Sequence, residues 1–133
     1  MPFVVREGDL TTSGGFVLAA SASEAIDVYR IARMGDPVWC PACKEVGYIA
    51  EGNPTWVDGQ VAVAIHGQLV RCGCQAGKNR VKASQEQHRA DMEASITIPD
   101  DLAETAQANA ERMTREIKDG TFTHKVLRNL NAR

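Results

Sequence analysis

Along the first 74 positions, apolar residues come in short runs broken by glycine. Two of these runs, Val28-Tyr29-Arg30-Ile31-Ala32-Arg33 and Val61-Ala62-Val63-Ala64-Ile65-His66, are rich in β-branched residues and read as strands. Glycines at 14, 15, 47, 52, 59 and 73 punctuate the chain as turns. Beyond Cys74 the pattern changes. Gln75 to Val81 reads as a last strand edge, Ser84 to Glu93 as a polar linker or frayed helix, and Ile96-Thr97-Ile98-Pro99 as a short extended piece. Leu102, Ala106, Ala110, Met113 and Ile117 then recur at helical spacing. Asp100 is placed to cap this helix, Asp101 and Glu104 suit its positive end, Arg115 and Lys118 suit its negative end, and Gly120 can stop it. So narrow an apolar stripe needs a surface to pack on: the flank of the β-region, a second copy, or a cargo protein.

Laid against itself, the β-region repeats. Gly8-Asp9-Leu10-Thr11-Thr12-Ser13, Gly35-Asp36-Pro37-Val38-Trp39-Cys40 and Gly67-Gln68-Leu69-Val70-Arg71-Cys72 each place a Gly-Asp or Gly-Gln turn before a short strand. The units recur at nearly even intervals, from Gly8 to Gly35 to Gly67, with room for a pair of short strands in each. Arranged around an axis, three such units would bring Ser13, Cys40 and Cys72 together.

Composition divides the chain at the same place. Residues 1–74 hold all four Cys, both Trp and both Tyr, and carry five Lys/Arg against eight Asp/Glu. The remainder carries ten against nine, so neither part has the basic footprint of a nucleic-acid binder. The opening Met-Pro-Phe-Val-Val-Arg has no charged n-region leading into a long apolar run, which predicts cytoplasmic synthesis and no leader-dependent export. No stretch is apolar for long enough to cross a bilayer. In a reducing compartment, the pairs Cys40-x-x-Cys43 and Cys72-x-Cys74 point to metal rather than to disulfides. A thioredoxin-like role for Cys40-Pro41-Ala42-Cys43 would need a βαβ setting with a helix start at the thiol, and the surrounding sequence offers strands and glycines.

The segments Gly8 to Gly15, Ile31 to Lys44 and Val63 to Cys74 resemble the PAAR (proline-alanine-alanine-arginine) repeat family in the order of their elements, over residues 4 to 82. The resemblance implies a mainly β fold, a small cone of short strands with pseudo-threefold repeats pinned by one structural zinc. It also implies a non-enzymatic role as the tip of a type VI secretion spike, docked on the trimeric valine-glycine repeat protein. The chain departs from the family at three places. Ser13 stands where many members have His, only Ala32-Arg33 survives of the eponymous tetrapeptide, and the third turn is Gly67-Gln68. The expected division is a β-cone at 1–82 and a linker with an amphipathic helical extension at 83–133.

A structural zinc site is tetrahedral and closed, with four Cys or His ligands. The candidates are Cys40, Cys43, Cys72 and Cys74, with His66 as the alternate for Cys43 or Cys74. Pro41 suits a chelating turn, and on a straight strand Cys72 and Cys74 would share a face. His88 and His124, far from the cysteines and in polar contexts, read as solvated. Docking is expected through the strands around Val17, Val28 and Val61, one chain per spike trimer. An effector or chaperone is the candidate partner of residues 96–133, and the tail beyond Cys74 as a whole has little room for a buried active site. The competing reading is a zinc-ribbon-like module binding protein or nucleic acid. Ribbon knuckles, however, sit about 15 to 20 residues apart, and the stretch between Cys43 and Cys72 is longer than that.

Overall fold

Gly8, Gly35 and Gly67 adopt the left-handed backbone, with φ of 87°, 96° and 87°, which a side chain would oppose. The residue after each glycine folds back in the same way. Asp9, Asp36 and Gln68 donate their N–H to the carbonyls of Arg6, Arg33 and Ile65. Their side-chain oxygens accept the N–H of those same residues, at 2.8, 2.7 and 2.9 Å. The amide of Gln68 keeps the acceptor, so the third unit makes the same bond without Asp. Each of the three side chains also grips a serine hydroxyl: Asp9 that of Ser84, Asp36 that of Ser21 at 2.5 Å and Gln68 that of Ser95 at 3.0 Å.

The computed structural model describes residues 2–122, and the three turns there surround a closed circuit. Val5 N–H donates to Ala64 at 3.0 Å, Ala64 N–H to Ala32 at 2.9 Å and Ala32 N–H to Val5 at 2.9 Å. Each donor stands three residues before its turn glycine, so the ring repeats the sequence periodicity. The core repeats it too. Val5, Ala32 and Ala64 form one layer, Val17, Ile49 and Val81 another, and Val38 and Val70 a third, all in one cluster. Thr11, 2% exposed, takes the remaining place in that third layer. Beneath the ring Val4, Ile31 and Val63 pack with Ala22 and Ile26.

Short strands frame this core. β1 (Phe16–Val17), β4 (Pro37–Cys40), β5 (Glu45–Ile49) and β8 (Val70–Arg71) form an antiparallel sheet in the order β1-β4-β5-β8. Two hairpins project from it: β2 (Ala25–Ile26) with β3 (Tyr29–Arg30), and β6 (Glu51–Asp58) with β7 (Val61–Val63). The run from Val28 to Arg33 is therefore not one strand. Its first residue, Val28, forms a tight two-residue turn with Asp27, at φ of 66° and 52°, and the strand begins only at Tyr29.

The segment from Ser84 to Glu93 is an irregular strap laid on the β-region, not a frayed helix. Gln85 Nε2 donates to the carbonyls of Val4 and His88, Val4 N–H donates to His88, and Ala90 N–H donates to Pro2. β9 (Ile96–Thr97) then pairs with β6, and Ile98 N–H reaches Ala50. The strap stays down because its backbone groups complete those of the N-terminal segment Pro2 to Val4.

α1 (Asp100–Asp119) follows and ends at Gly120, which has φ of 75°. Its start differs from the expected cap: Pro99 holds that position, and no side chain caps the first turn. Asp101 Oδ1 instead accepts Leu102 N–H. The stripe of Ala106, Ala110 and Met113 is buried on the flank of the sheet. Ala106 packs with Tyr48, Ala50 and Ile98, whereas Ala110 and Met113 pack with Val46, Leu18 and Ala19. Leu102, Ile117 and Phe122 extend the two contacts, and Thr114 Oγ1 accepts Val46 N–H at 2.9 Å. No helix among the described residues is long and apolar enough to cross a membrane.

Candidate metal centre

Cys40 ends β4 opposite Glu45 on β5, and the turn between them carries Cys43 and closes with Lys44 at φ 57°. Cys72 and Cys74 lie just past the end of β8 on a bend, not on the straight strand expected of them. The turn and the bend bring all four sulfurs within 4.8 Å of one another. Cys40 is buried, and the other three are half-buried. Their approach depends on backbone packing against two glycines. A Cβ on Gly47 would lie 2.1 Å from the Arg71 carbonyl oxygen and 2.7 Å from Cys72 Cβ, and one on Gly15 would lie 1.8 Å from the Trp39 carbonyl oxygen. The two contacts are equivalent, since Gly47 stands one unit after Gly15 and Arg71 one unit after Trp39. At the corresponding place in the next unit stands Asn79, whose Nδ2 lies 3.6 Å from Cys72 Sγ.

Ser13 does converge with Cys40, its Oγ lying 3.3 Å from Cys40 Sγ. Thr11 Oγ1 lies 3.2 Å behind it and accepts Gly15 N–H, which holds the serine in place. The first unit therefore brings a hydroxyl to the sulfurs, while the second and third bring two thiols each. The repeat pointed to Ser13, Cys40 and Cys72. It could not show the contribution of Asn79, because that residue sits at a glycine position.

The proton affinities of the thiols are unequal. Burial works against ionisation of Cys40, but hydrogen bonds from the Ser13 hydroxyl, the Cys43 backbone and the neighbouring thiols outweigh it and lower the group to about 6. Burial and then Cys40 push Cys43 up, while Cys40 and then burial push Cys74 up. Such a cluster resists holding several negative charges unaided and accommodates them around a cation. The donor set fits zinc. Zn–S bonds of about 2.3 Å place tetrahedral sulfurs about 3.8 Å apart, and Cys40 and Cys74 already stand at 3.5 Å.

His66 is engaged elsewhere. It is exposed, and its Nδ1 accepts Ala83 N–H at 3.0 Å, so the sulfur group forms without it. His88 is exposed, as expected of a solvated residue, and His124 lies outside the described residues. Among the three valines assigned to docking, Val17 is 1% exposed in the central core and has no surface to offer, a correction to the expected docking face. Val61 is half-buried with the residues that seat α1, whereas Val28 is 92% exposed at its hairpin tip.

The model of the PAAR motif matches residues 7–77, more than half of the chain. The chain belongs to the PAAR family. That family is a structural one associated with the type VI secretion system. The PAAR match spans the three glycine turns and all four cysteines and stops before the strap and α1. Comparison of this PAAR protein with curated proteins and with solved structures returned no match.

Proposed function

We propose that this chain is the zinc-pinned tip of a type VI secretion spike, seated one copy per trimer on the valine-glycine repeat protein. The observation that carries the reading is the ring of Val5, Ala32 and Ala64. It gives a single chain the threefold character that an axial seat on a trimer requires. Cys40, Cys43, Cys72 and Cys74 hold the metal, and zinc supplies a cross-link between the second and third units at the end of the chain's β4–β5 and β8 segments. The protein leaves the cell with the spike and needs no signal peptide.

Docking falls to the hairpin tips. Asp27-Val28 and Gly59-Gln60 are left-handed turns one unit apart, equivalent tips on two of the three units. Strand edges beside them favour strand addition to the trimer. An effector docking on α1 would use its exposed side, since the apolar side is occupied by the β-region.

Mass measurement of the isolated complex tests the seat. One copy per trimer supports it, and three copies refute it. Failure to co-elute with the trimer, together with salt-sensitive binding to nucleic acid, would favour the ribbon-like module instead.

A further inference from the structure

The four sulfurs are not equally guarded. Cys40 is buried and faces the Ser13 hydroxyl. Cys72 faces the Asn79 amide. Cys43 lies against the Gly73 backbone, which hydrogen-bonds its sulfur. Cys74 differs: its side-chain hydrogen-bonding contacts among the described residues are with the other sulfurs, those of Cys40, Cys72 and Cys43. It also stands with Cys72 in the wall of an open cavity of about 290 Å³, bounded by Glu51, Arg71, Ala76 and Gly77. Neither Cys40 nor Cys43 reaches that wall.

We infer that Cys74 is the open corner of the site, the sulfur at which small soft electrophiles react first and through which the metal exchanges with thiol-like chelators. The inference rests on the four-sulfur reading above. A metal-bound thiolate keeps a nucleophilic lone pair, and hydrogen bonds donated to the sulfur withdraw density from it. Ser13 and Asn79 thus damp Cys40 and Cys72, whereas Cys74, half-buried at the cavity wall, has only sulfurs for side-chain partners among the described residues. With iodoacetamide the Cys74 sulfur forms the new S–C bond, and iodide departs with the electrons of the C–I bond. The cavity has room for the reagent beside the sulfur.

The test uses the full chain loaded with zinc, its metal content measured before a brief treatment with less than one equivalent of iodoacetamide. Peptide mapping by mass spectrometry is expected to find the first adduct on Cys74, severalfold ahead of each other cysteine. In Ser13→Ala the Cys40 adduct should rise severalfold while Cys74 keeps its rate, and Ser13→Thr should restore the original order. Chain that is folded yet binds no zinc would overturn the four-sulfur reading and this inference with it. Bound zinc with first reaction at Cys40, Cys43 or Cys72 would overturn the inference alone.

Discussion

Val28 carries a β-branched side chain at φ 66°, a region such residues avoid, and exposes 92% of itself to solvent. Neither property helps the isolated protein. Val28→Gly creates the Asp-Gly pair that a two-residue hairpin favours and should raise stability by about 1 kcal/mol in urea melts. The same change should weaken docking on the spike trimer, read by co-elution or calorimetry. A variant that is more stable and docks unchanged would remove Val28 from the interface. Asp36 poses the opposite problem. Burial raises its carboxyl from 3.8 to about 6, against the pull of its bonds to Ser21 and Arg33 and of the Arg33 charge. Between pH 4 and 6 the unfolded chain gives up this proton while the folded chain holds it, so stability falls as pH rises through that window. The stability of the parent minus that of Asp36→Asn should drop by on the order of 3 kcal/mol from pH 4 to pH 7. The comparison is made on zinc-saturated proteins, so that metal loss at the cysteines cancels.

At the scale of elements, α1 is held by its narrow stripe. Met113 is 1% exposed against Val46 and Leu18, so Met113→Ala should cost about 2 to 4 kcal/mol. Met113→Asp should unseat the helix and bare the apolar side of β4 and β5, detected as dye binding and self-association. The helix was legible because its periodicity and its stop are local, and it ends at Gly120 as expected. Its cap was not, since Pro99 sets the backbone without a side-chain bond. The strap was misread for a related reason. Ser84, Gln85 and His88 are polar and suggest solvent, but their partners, Asp9 and Val4, lie at the opposite end of the β-region's sequence. Likewise, β-branched Val28 to Arg33 looks like a strand, and nothing local announces the turn at Asp27-Val28.

For the molecule as a whole, the three glycine turns were the legible feature, because each turn is closed by its own immediate neighbours. The convergence of Ser13 with Cys40 followed from that periodicity. The asymmetry of the sulfur site did not, as it depends on the bend at Cys74 and on Asn79 standing in place of a glycine. Metal analysis of protein purified without chelator should find one zinc per chain, and a strong chelator should lower the melting temperature of the β-region sharply. Cys40→Ser and Cys72→Ser should reproduce that loss. A well-folded protein free of metal would refute the assignment.

The ring of Val5, Ala32 and Ala64 also sets when the protein can fold. Its bond from Val5 to Ala64 joins the first unit to the third, and Val4 must wait for Gln85 and His88. A chain emerging from the ribosome therefore cannot satisfy Val4 and Val5 until the strap has been made. Closing such long loops before any bond rewards them makes assembly slow and all-or-none. A fragment ending at Ala62 should show no cooperative melt, although it contains two of the three turns. In the full chain, amide exchange at Val5, Ala32 and Ala64 should slow together, at one common rate, once refolding completes.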